Sequence, residues 1–308
     1  MKIIHIENCK ALATDVADRI GIELGNSVRK NFADDEFTVG YNESLRGERV
    51  YIIGSTNMIR GKNNLLELCM KIRAARDASA KEIIVIIPYF GWGRADRKDI
   101  DRSCVTSKLV SEFIEVSGAT QVITFDLHAI QTQGFFNIPS DHFMLDKLYA
   151  NHIKQNFDIN NVKLAAPDMG ASKRVSKVSG LLDDIDLVIF YKERSAENNI
   201  KQMKILGDVK GKDVIFLDDI ADSGNTLVKA AALAKENGAK KIVAYCTHGV
   251  LSGKAIETIE KSDITEFYIT DSIINDLSKS SKIKVLSMSK IIANIINKIN
   301  NNLSLSNL

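Results

Sequence analysis

A polar loop follows a predicted buried strand in the second half of the chain. From Asp218 the sequence reads Asp-Asp-Ile-Ala-Asp-Ser-Gly-Asn-Thr, before an Ala-rich helical stretch. Backbone N–H groups at the helix start and the hydroxyls of Ser223 and Thr226 would donate to a phosphate, and Gly224 permits its close approach. Asp218 and Asp219 would accept hydrogen bonds from a vicinal diol. A lone Asp-x-x-Gly more often only caps a helix, but two adjacent acids before this loop favour a binding site.

A second candidate site lies over residues 124–136, which read Thr-Phe-Asp-Leu-His-Ala-Ile-Gln-Thr-Gln-Gly-Phe-Phe. Asp126 and His128 are two positions apart, so on an extended strand they would share one face. Mg²⁺ prefers oxygen ligands and retains water, which makes Asp126 the natural ligand and His128 the less expected one. A lone histidine on a strand is more often structural, but the neighbouring aspartate favours metal binding.

Two well-known nucleotide motifs are approached and not matched. Residues 91–96 read Gly-Trp-Gly-Arg-Ala-Asp, with Asp where a dinucleotide fold needs a third glycine. Gly211 and Lys212 are followed by Asp213, where a P-loop requires Ser or Thr. The sequence therefore supports neither a Rossmann fingerprint nor a P-loop.

Composition narrows the class of protein. The chain has 308 residues, 45% of them hydrophobic, which is enough for two domains. Its 41 Lys and Arg against 39 Asp and Glu leave no uniformly basic surface for nucleic acid. The four cysteines form no Cys-x-x-Cys pair, which fits a reducing cytoplasm. No apolar run approaches the roughly 20 residues that span a bilayer. We therefore expect a cytoplasmic protein without a membrane partner.

Several motifs together resemble one enzyme family. Residues 126–136 closely resemble the motif Asp-Leu-His-Ala-x-Gln-x-Gln-Gly-Phe-Phe of ribose-phosphate diphosphokinases. Residues 218–226 resemble the phosphoribosyl-diphosphate loop that this family shares with type I phosphoribosyltransferases, and the resemblance extends over nearly the whole chain. It implies an Mg²⁺-dependent enzyme that transfers the diphosphoryl group of ATP to O1 of ribose 5-phosphate. The products would be 5-phosphoribosyl 1-diphosphate and AMP.

The resemblance also implies which residues bind ATP. Residues 32–36 resemble a loop that reaches a neighbouring subunit's ATP site, which implies a homo-oligomer, in this family a hexamer. Asp35 stands where the family has Gly, so the loop is strained if φ is positive there. Residues 87–98 resemble a segment that contacts adenine and triphosphate. The implied ATP-binding residues are Phe32, Asp34, Glu36, Arg94, Asp96, Arg97 and His128.

A second set of implied residues binds ribose 5-phosphate and metal. Residues 167–170 resemble the start of a Pro-Asp-x-Gly-Gly turn near ribose and metal, with Ala171 in place of the second glycine. An alanine is tolerable there only if its φ is negative. The implied metal ligands are Asp126, His128 and Asp168. The implied ribose 5-phosphate-binding residues are Asp168, Asp218, Asp219, Asp222, Ser223, Gly224, Asn225 and Thr226.

Two basic residues match the start of the family's mobile catalytic loop. Lys192 and Arg194 are kept in the run Tyr-Lys-Glu-Arg. They are predicted to be catalytic, because cationic groups neutralise the charge that develops in phosphoryl transfer. Without the resemblance, two such residues would more often lie in a solvated loop.

Two alternatives remain open from the sequence. A phosphoribosyltransferase would use the same loop but consume phosphoribosyl diphosphate with a nucleobase, and it has no need of the ATP-binding segment. A catalytically silent paralogue would only assemble with an active enzyme. The retention of Asp126, Lys192, Arg194 and Asp218 argues against the silent paralogue.

The elements that must position these residues alternate between strands and helices. β-rich runs at 50–54, 81–88, 121–126 and 214–218 alternate with helical stretches such as 65–76, which predicts an α/β fold with mainly parallel sheets flanked by helices. In such sheets ligands bind at the carboxyl ends of strands. The resemblance implies two similar phosphoribosyltransferase-like domains. Their predicted bounds are 1–140 on the ATP side, rejoined by a C-terminal helix at 286–302, and 141–285 on the ribose 5-phosphate side.

Overall fold

The computed structural model describes residues 1–59, 62–194 and 200–306. The chain forms two compact units, each with its own central sheet. Unit 1 comprises Met1–Phe143, Asp271–Ile274 and Ser287–Leu308, and unit 2 comprises Met144–Thr270 and Asn275–Leu286.

The first unit ends later than the bound of 140 expected from sequence. Ser140–Phe143 forms a strand that pairs in parallel with the preceding strand of unit 1, so the sheet of unit 1 continues past residue 140. The segment Asp271–Ile274, assigned from sequence to the second domain, belongs to unit 1.

Unit 1 contains a five-stranded parallel sheet in the order β1-β4-β7-β8-β9. Two antiparallel strand pairs, β2–β3 and β5–β6, lie outside this sheet. The strands of unit 1 are β1 (Lys2–His5), β2 (Ser27–Asn31), β3 (Phe37–Tyr41), β4 (Arg49–Ile53), β5 (Met58–Ile59), β6 (Lys62–Asn63), β7 (Glu82–Ile87), β8 (Gln121–Phe125) and β9 (Ser140–Phe143). Helices: α1 (Lys10–Ile20), α2 (Asn64–Asp77), α3 (Thr106–Ser117) and α8 (Ser289–Asn300).

Unit 2 contains a seven-stranded sheet in the order β12-β11-β10-β13-β14-β15-β16. All neighbouring strands pair in parallel except β11 and β12, which are antiparallel. Strands: β10 (Val162–Ala166), β11 (Leu187–Arg194), β12 (Ile200–Leu206), β13 (Asp213–Ala221), β14 (Ile242–Gly249), β15 (Glu266–Thr270) and β16 (Ile283–Leu286). Helices: α4 (Asp146–Asn156), α5 (Ser172–Gly180), α6 (Asn225–Glu236) and α7 (Ala255–Glu260).

Local sequence explains these elements. Strands β4 and β7 are Val- and Ile-rich and almost wholly buried, as strands covered by helices on both faces must be. Helix α2 begins where the side chain of Asn63 accepts a hydrogen bond from Leu66 N at 3.1 Å, as an N-cap residue does. The predicted α/β fold with parallel sheets flanked by helices is confirmed. Within the described ranges, no helix combines the length and the apolar character needed to cross a bilayer.

Candidate functional site

Three carboxylates lie near the carboxyl ends of two neighbouring strands of unit 2. Asp168 follows β10, and Asp218 and Asp219 lie near the end of β13, which pairs with β10 in parallel. Burial and the negative charges of Asp219 and Asp168 raise the pKa of Asp218 well above its ordinary value. Like charges this close are relieved by a cation or by hydrogen-bond donors such as sugar hydroxyls.

Strand β13 extends further than the sequence predicts. It continues to Ala221, beyond the predicted run 214–218, so Asp219 lies on the strand as well as Asp218. The N–H of Asp219 donates to Asp218 Oδ1 at 2.9 Å, and the N–H of Ile220 donates to Asp219 Oδ1 at 2.9 Å. These bonds orient both carboxylates against the strand that carries them.

The third carboxylate is held by the turn that begins α5. Asp168 Oδ1 accepts the N–H groups of Gly170 at 2.8 Å and Ala171 at 3.2 Å. Ala171 has φ −76°, which meets the condition that the sequence set for an alanine at this position. The turn therefore keeps its shape without the family's second glycine.

The predicted phosphate loop forms the connection between β13 and α6. Gly224 has φ +74° and is the N-cap of α6, and its carbonyl accepts the N–H of Val228 at 3.0 Å. Ser223 and Asn225 are exposed, whereas Asp222 and Thr226 are half-buried. A helix N-terminus entered through a left-handed glycine presents backbone N–H groups to an anion. The loop thus has the geometry expected of a phosphate site, next to the Asp218 and Asp219 pair.

The predicted ATP segment of unit 1 centres on a buried carboxylate. Asp96 accepts hydrogen bonds from Arg97 Nε at 3.0 Å and from Gln131 Nε2 at 2.9 Å, while Arg94 is exposed in the preceding turn. The structure therefore joins two motifs that are separate in sequence. Gln131 was not predicted as a site residue, although it is part of the motif that contains Asp126.

The prediction that Asp126 and His128 share a strand face is wrong. Strand β8 ends at Phe125, and Asp126 has φ +41°, a left-handed conformation that turns the chain. The N–H of Asp126 donates to Phe143 O at 3.0 Å. Asp126 is buried and His128 is exposed, because the chain has left the strand before it reaches the histidine.

The metal ligands predicted from sequence are not gathered into one cluster. In the described part of the chain, no three His, Cys, Asp or Glu side chains are arranged as a metal-binding group. Mg²⁺ is commonly held by one or two carboxylates together with substrate phosphates and water. Ligation by single carboxylates such as Asp168 stays a prediction.

The predicted loop at 32–36 is the tip of the β2–β3 hairpin. The N–H of Phe32 donates to Glu36 O at 2.7 Å, and the N–H of Glu36 donates to Asp34 Oδ1 at 3.2 Å. Phe32 is 46% exposed. Asp35 has φ +66°, so the strain expected where the family has glycine is present.

The two predicted catalytic residues can be placed only by their backbone. Lys192 and Arg194 lie on the last part of β11, paired with β12. Their side chains lie outside the described residues, and so do residues 195–199, into which the predicted catalytic loop continues.

Both ends of the chain match domain models of known proteins. Residues 1–118 match the model of the N-terminal domain of ribose phosphate pyrophosphokinase, and residues 185–308 match the phosphoribosyl synthetase-associated domain. The ribose-phosphate pyrophosphokinase of Porphyromonas gingivalis is 40% identical over 95% of this chain and 92% of its own length. The chain belongs to the ribose-phosphate pyrophosphokinase family. The resemblance identified from the motifs is thereby confirmed.

Further relatives of the family agree along the full length. The ribose-phosphate pyrophosphokinase of Hyphomonas neptunium is 41% identical over 100% of this chain and 99% of its own length. The crystal structure of phosphoribosylpyrophosphate synthetase from Mycobacterium smegmatis superposes with a TM-score of 0.90 at 29% identity, over 98% of this chain and 99% of that one. The family therefore accounts for both units.

Proposed function

We propose that this chain transfers the β,γ-diphosphoryl group of MgATP to O1 of ribose 5-phosphate. The products are 5-phosphoribosyl 1-diphosphate and AMP, for nucleotide biosynthesis. The observation that carries the proposal is the pairing of Asp218 and Asp219 with a left-handed glycine loop at the N-terminus of α6. Similarity to ribose-phosphate pyrophosphokinases over nearly the full chain supports it.

Ribose 5-phosphate binds in unit 2 in this proposal. The loop at 222–226 receives the 5-phosphate through backbone N–H groups and hydroxyls. Asp218 and Asp219 accept hydrogen bonds from the ribose hydroxyls, and Asp168 lies beside them. The raised pKa of Asp218 supports this role, because hydroxyl donors relieve the repulsion among the three carboxylates.

ATP binds through residues of unit 1. Arg94, Asp96 and Arg97 contact the nucleotide together with His128, and Gln131 holds Asp96 in place. The hairpin tip at 32–36 completes the ATP site of a neighbouring subunit in a homo-oligomer, a hexamer by resemblance to the family. The exposure of Phe32 supports such a contact.

The reaction is an in-line attack by O1 of ribose 5-phosphate on the β-phosphorus of ATP. No covalent intermediate with the protein is required, and none of the predicted site residues is assigned as a base. The chain provides proximity and orientation. Lys192 and Arg194 stabilise the negative charge that develops on the transferred group.

Mg²⁺ is the proposed cofactor, and the donors in unit 2 fit it. Asp168 is a half-buried oxygen ligand with one oxygen oriented by backbone N–H groups, and its charge already acts on Asp218. Asp126 and His128 are the ligands proposed in unit 1. A bound Mg²⁺ supplies neutralisation of phosphate charge.

The proposal is tested by assaying purified protein with ATP, ribose 5-phosphate and Mg²⁺. Equal amounts of AMP and phosphoribosyl diphosphate are expected. Consumption of phosphoribosyl diphosphate with a nucleobase, without any need for ATP, would instead identify a phosphoribosyltransferase.

We also propose a cytoplasmic location, which the free thiols of Cys9, Cys69, Cys104 and Cys246 support.

A further inference from the structure

The hairpin of β2 and β3 forms its own two-stranded sheet, apart from the five-stranded sheet of unit 1. A two-stranded hairpin by itself is marginally stable in water, so the hairpin depends on what attaches it to the rest of the unit. One attachment is Tyr41, which packs on the apolar core and whose hydroxyl donates to Lys71 O on α2 at 2.7 Å. A further group of attachments is ionic and converges on one buried carboxylate.

That carboxylate belongs to Glu67 on α2, whose side chain is 1% exposed. Its Oε2 lies 2.5 Å from Arg29 Nη1 on β2. Its Oε1 accepts the N–H of Glu7 at 3.0 Å and lies 3.6 Å from Lys71 Nζ. Each oxygen therefore has a positively charged or N–H partner, as a buried carboxylate requires.

Lys71 connects the same cluster to the main sheet. Its ammonium group donates to His5 O at the end of β1 and to Ser27 Oγ at the start of β2 at 3.2 Å. Burial lowers the pKa of Lys71, and the charge of Glu67 opposes that effect. The pair of charges thus ties helix α2, strand β1 and the base of the hairpin together.

Arg29 extends the contact along the hairpin toward its tip. Its guanidinium lies 3.9 Å from the centroid of the Phe37 ring on β3, and its Nε donates to Asn31 Oδ1 at 3.0 Å. Arg29 therefore contacts both strands of the hairpin, while its Nη1 donates to the Glu67 carboxylate on α2. The residues it touches, Asn31 and Phe37, directly flank the tip at 32–36.

We propose that Glu67 is a positioning residue for nucleotide binding, acting through Arg29 to set the direction in which the hairpin presents residues 32–36. Apolar packing alone would let a hairpin shift on a helix, whereas a buried, hydrogen-bonded charge pair has one favourable geometry. The inference rests on the proposed function, because it assigns that tip to an ATP site. It adds Glu67 and Arg29 to the residues on which ATP affinity depends.

The kinetic test compares Glu67→Gln and Arg29→Ala with the unaltered enzyme. Each variant is expected to raise KM for MgATP about tenfold, while KM for ribose 5-phosphate changes less than about twofold. The double variant should be no worse than the more affected single variant, because both remove the same contact. Arg29→Lys should recover part of the affinity. Glu82→Gln is the matched control, since it breaks the Arg49–Glu82 ion pair of unit 1 away from the hairpin.

A second measurement separates this inference from the proposed function. Hydrogen exchange of the amides in 27–41 should accelerate in Glu67→Gln and Arg29→Ala but not in Glu82→Gln. If Glu67→Gln fails to fold, both measurements are made on Arg29→Ala, because the Arg29 side chain is 22% exposed and its loss is better tolerated. An unchanged KM for MgATP, or equal rises for both substrates, would overturn the positioning role. If the unaltered chain produced no AMP, the function would fail while the exchange rates still tested the anchor.

Discussion

Asp218 has a side chain whose ionisation is opposed by its surroundings. Burial and the charges of Asp219 and Asp168 raise its pKa, so the folded protein favours the protonated form more than the unfolded chain does. A group with a raised folded pKa contributes stability that is fully present below its unfolded pKa, which for an aspartate is ordinarily 3.8. That stability is lost as pH rises through the folded pKa.

Replacement of this carboxyl by a neutral amide should therefore stabilise the free protein. We expect Asp218→Asn to raise Tm by a few degrees at neutral pH and to weaken ribose 5-phosphate binding, a trade of function for stability. The gain should grow as pH rises above about 4 and level off above the raised pKa. Thermal melts across pH provide the check, with Asp213→Asn at the other end of β13 as the control. A gain that did not depend on pH would contradict the electrostatic cause.

Lys192 is expected to act mainly in the transition state. Lys192→Ala should lower kcat by orders of magnitude while KM for ribose 5-phosphate stays nearly constant, because the lost interaction forms as charge develops. Steady-state kinetics that separate kcat from KM are the measurement. An unchanged kcat would remove Lys192 from the catalytic role.

At the scale of elements, the entry to α6 depends on a backbone that favours glycine. Gly224 has φ +74°, and a Cβ added there would lie 3.3 Å from Ile259 Cγ1. Gly211 has φ +72°, but an added Cβ there meets nothing within 4 Å. The two positions share the backbone conformation, but they differ in the space for a Cβ and in their place relative to the candidate site.

This difference gives a matched pair of variants. Gly224→Ala and Gly211→Ala should each lose about 1–2 kcal/mol of stability from the left-handed backbone, and Gly224→Ala should lose more because its Cβ also meets Ile259. Only Gly224→Ala should also raise KM for ribose 5-phosphate, because its loop faces the 5-phosphate in our proposal. Denaturant unfolding and steady-state kinetics on both variants are the measurements. Equal KM values for the two variants would count against the phosphate loop.

Sequence patterns predicted the elements where local and tertiary preferences agree. The Ile-rich run of β7 and the helical stretch of α2 were both predicted, because burial and helical periodicity are encoded within a few residues. Strand β9, with the sequence Ser-Asp-His-Phe, was not predicted, and the domain bound was placed within it at 140, since its pairing with β8 is a tertiary preference. The left-handed Asp126 was missed for the same reason. In the candidate site, the β13–α6 loop was predicted from its local sequence. The contact of Gln131 with Asp96 was not predicted, because it joins residues 35 positions apart.

For the whole molecule, the resemblance predicts a symmetric homo-oligomer. Residues 32–36 would complete an ATP site in another subunit, so the free monomer should be inactive. Multi-angle light scattering at assay concentration should give a multiple of the 34.1 kDa chain mass, in the family a hexamer. A fully active monomer would defeat the prediction.

Unit 1 is assembled from both ends of the sequence, and its stability should depend on α8. Helix α8 packs on α1 with Ile292, Ile295 and Ile296 buried, and Arg19 Nε donates to Ser289 Oγ at 2.8 Å. Loss of a buried isoleucine side chain to alanine costs about 2–5 kcal/mol.

A single substitution in α8 should therefore destabilise unit 1. We expect Ile296→Ala to lower the unfolding midpoint followed by the fluorescence of Trp92, which is the chain's one tryptophan and lies in unit 1. Asn294→Ala, at an exposed position of the same helix, is the control. Equal midpoints for the two variants would show that α8 does not support unit 1.

The same arrangement governs the order in which the protein can fold during synthesis. Strands β1 to β9 are translated before α8, so α8 cannot cover its face of α1 until residues 289–300 have been translated. The main segment of unit 2, Met144–Thr270, emerges in between. Domains of a nascent chain generally fold as they emerge. Here unit 1 cannot be complete until its own last segment, which follows unit 2 in the sequence, has been translated. A ribosome that stalls after unit 2 therefore holds an unfinished N-terminal core exposed to chaperones and proteases.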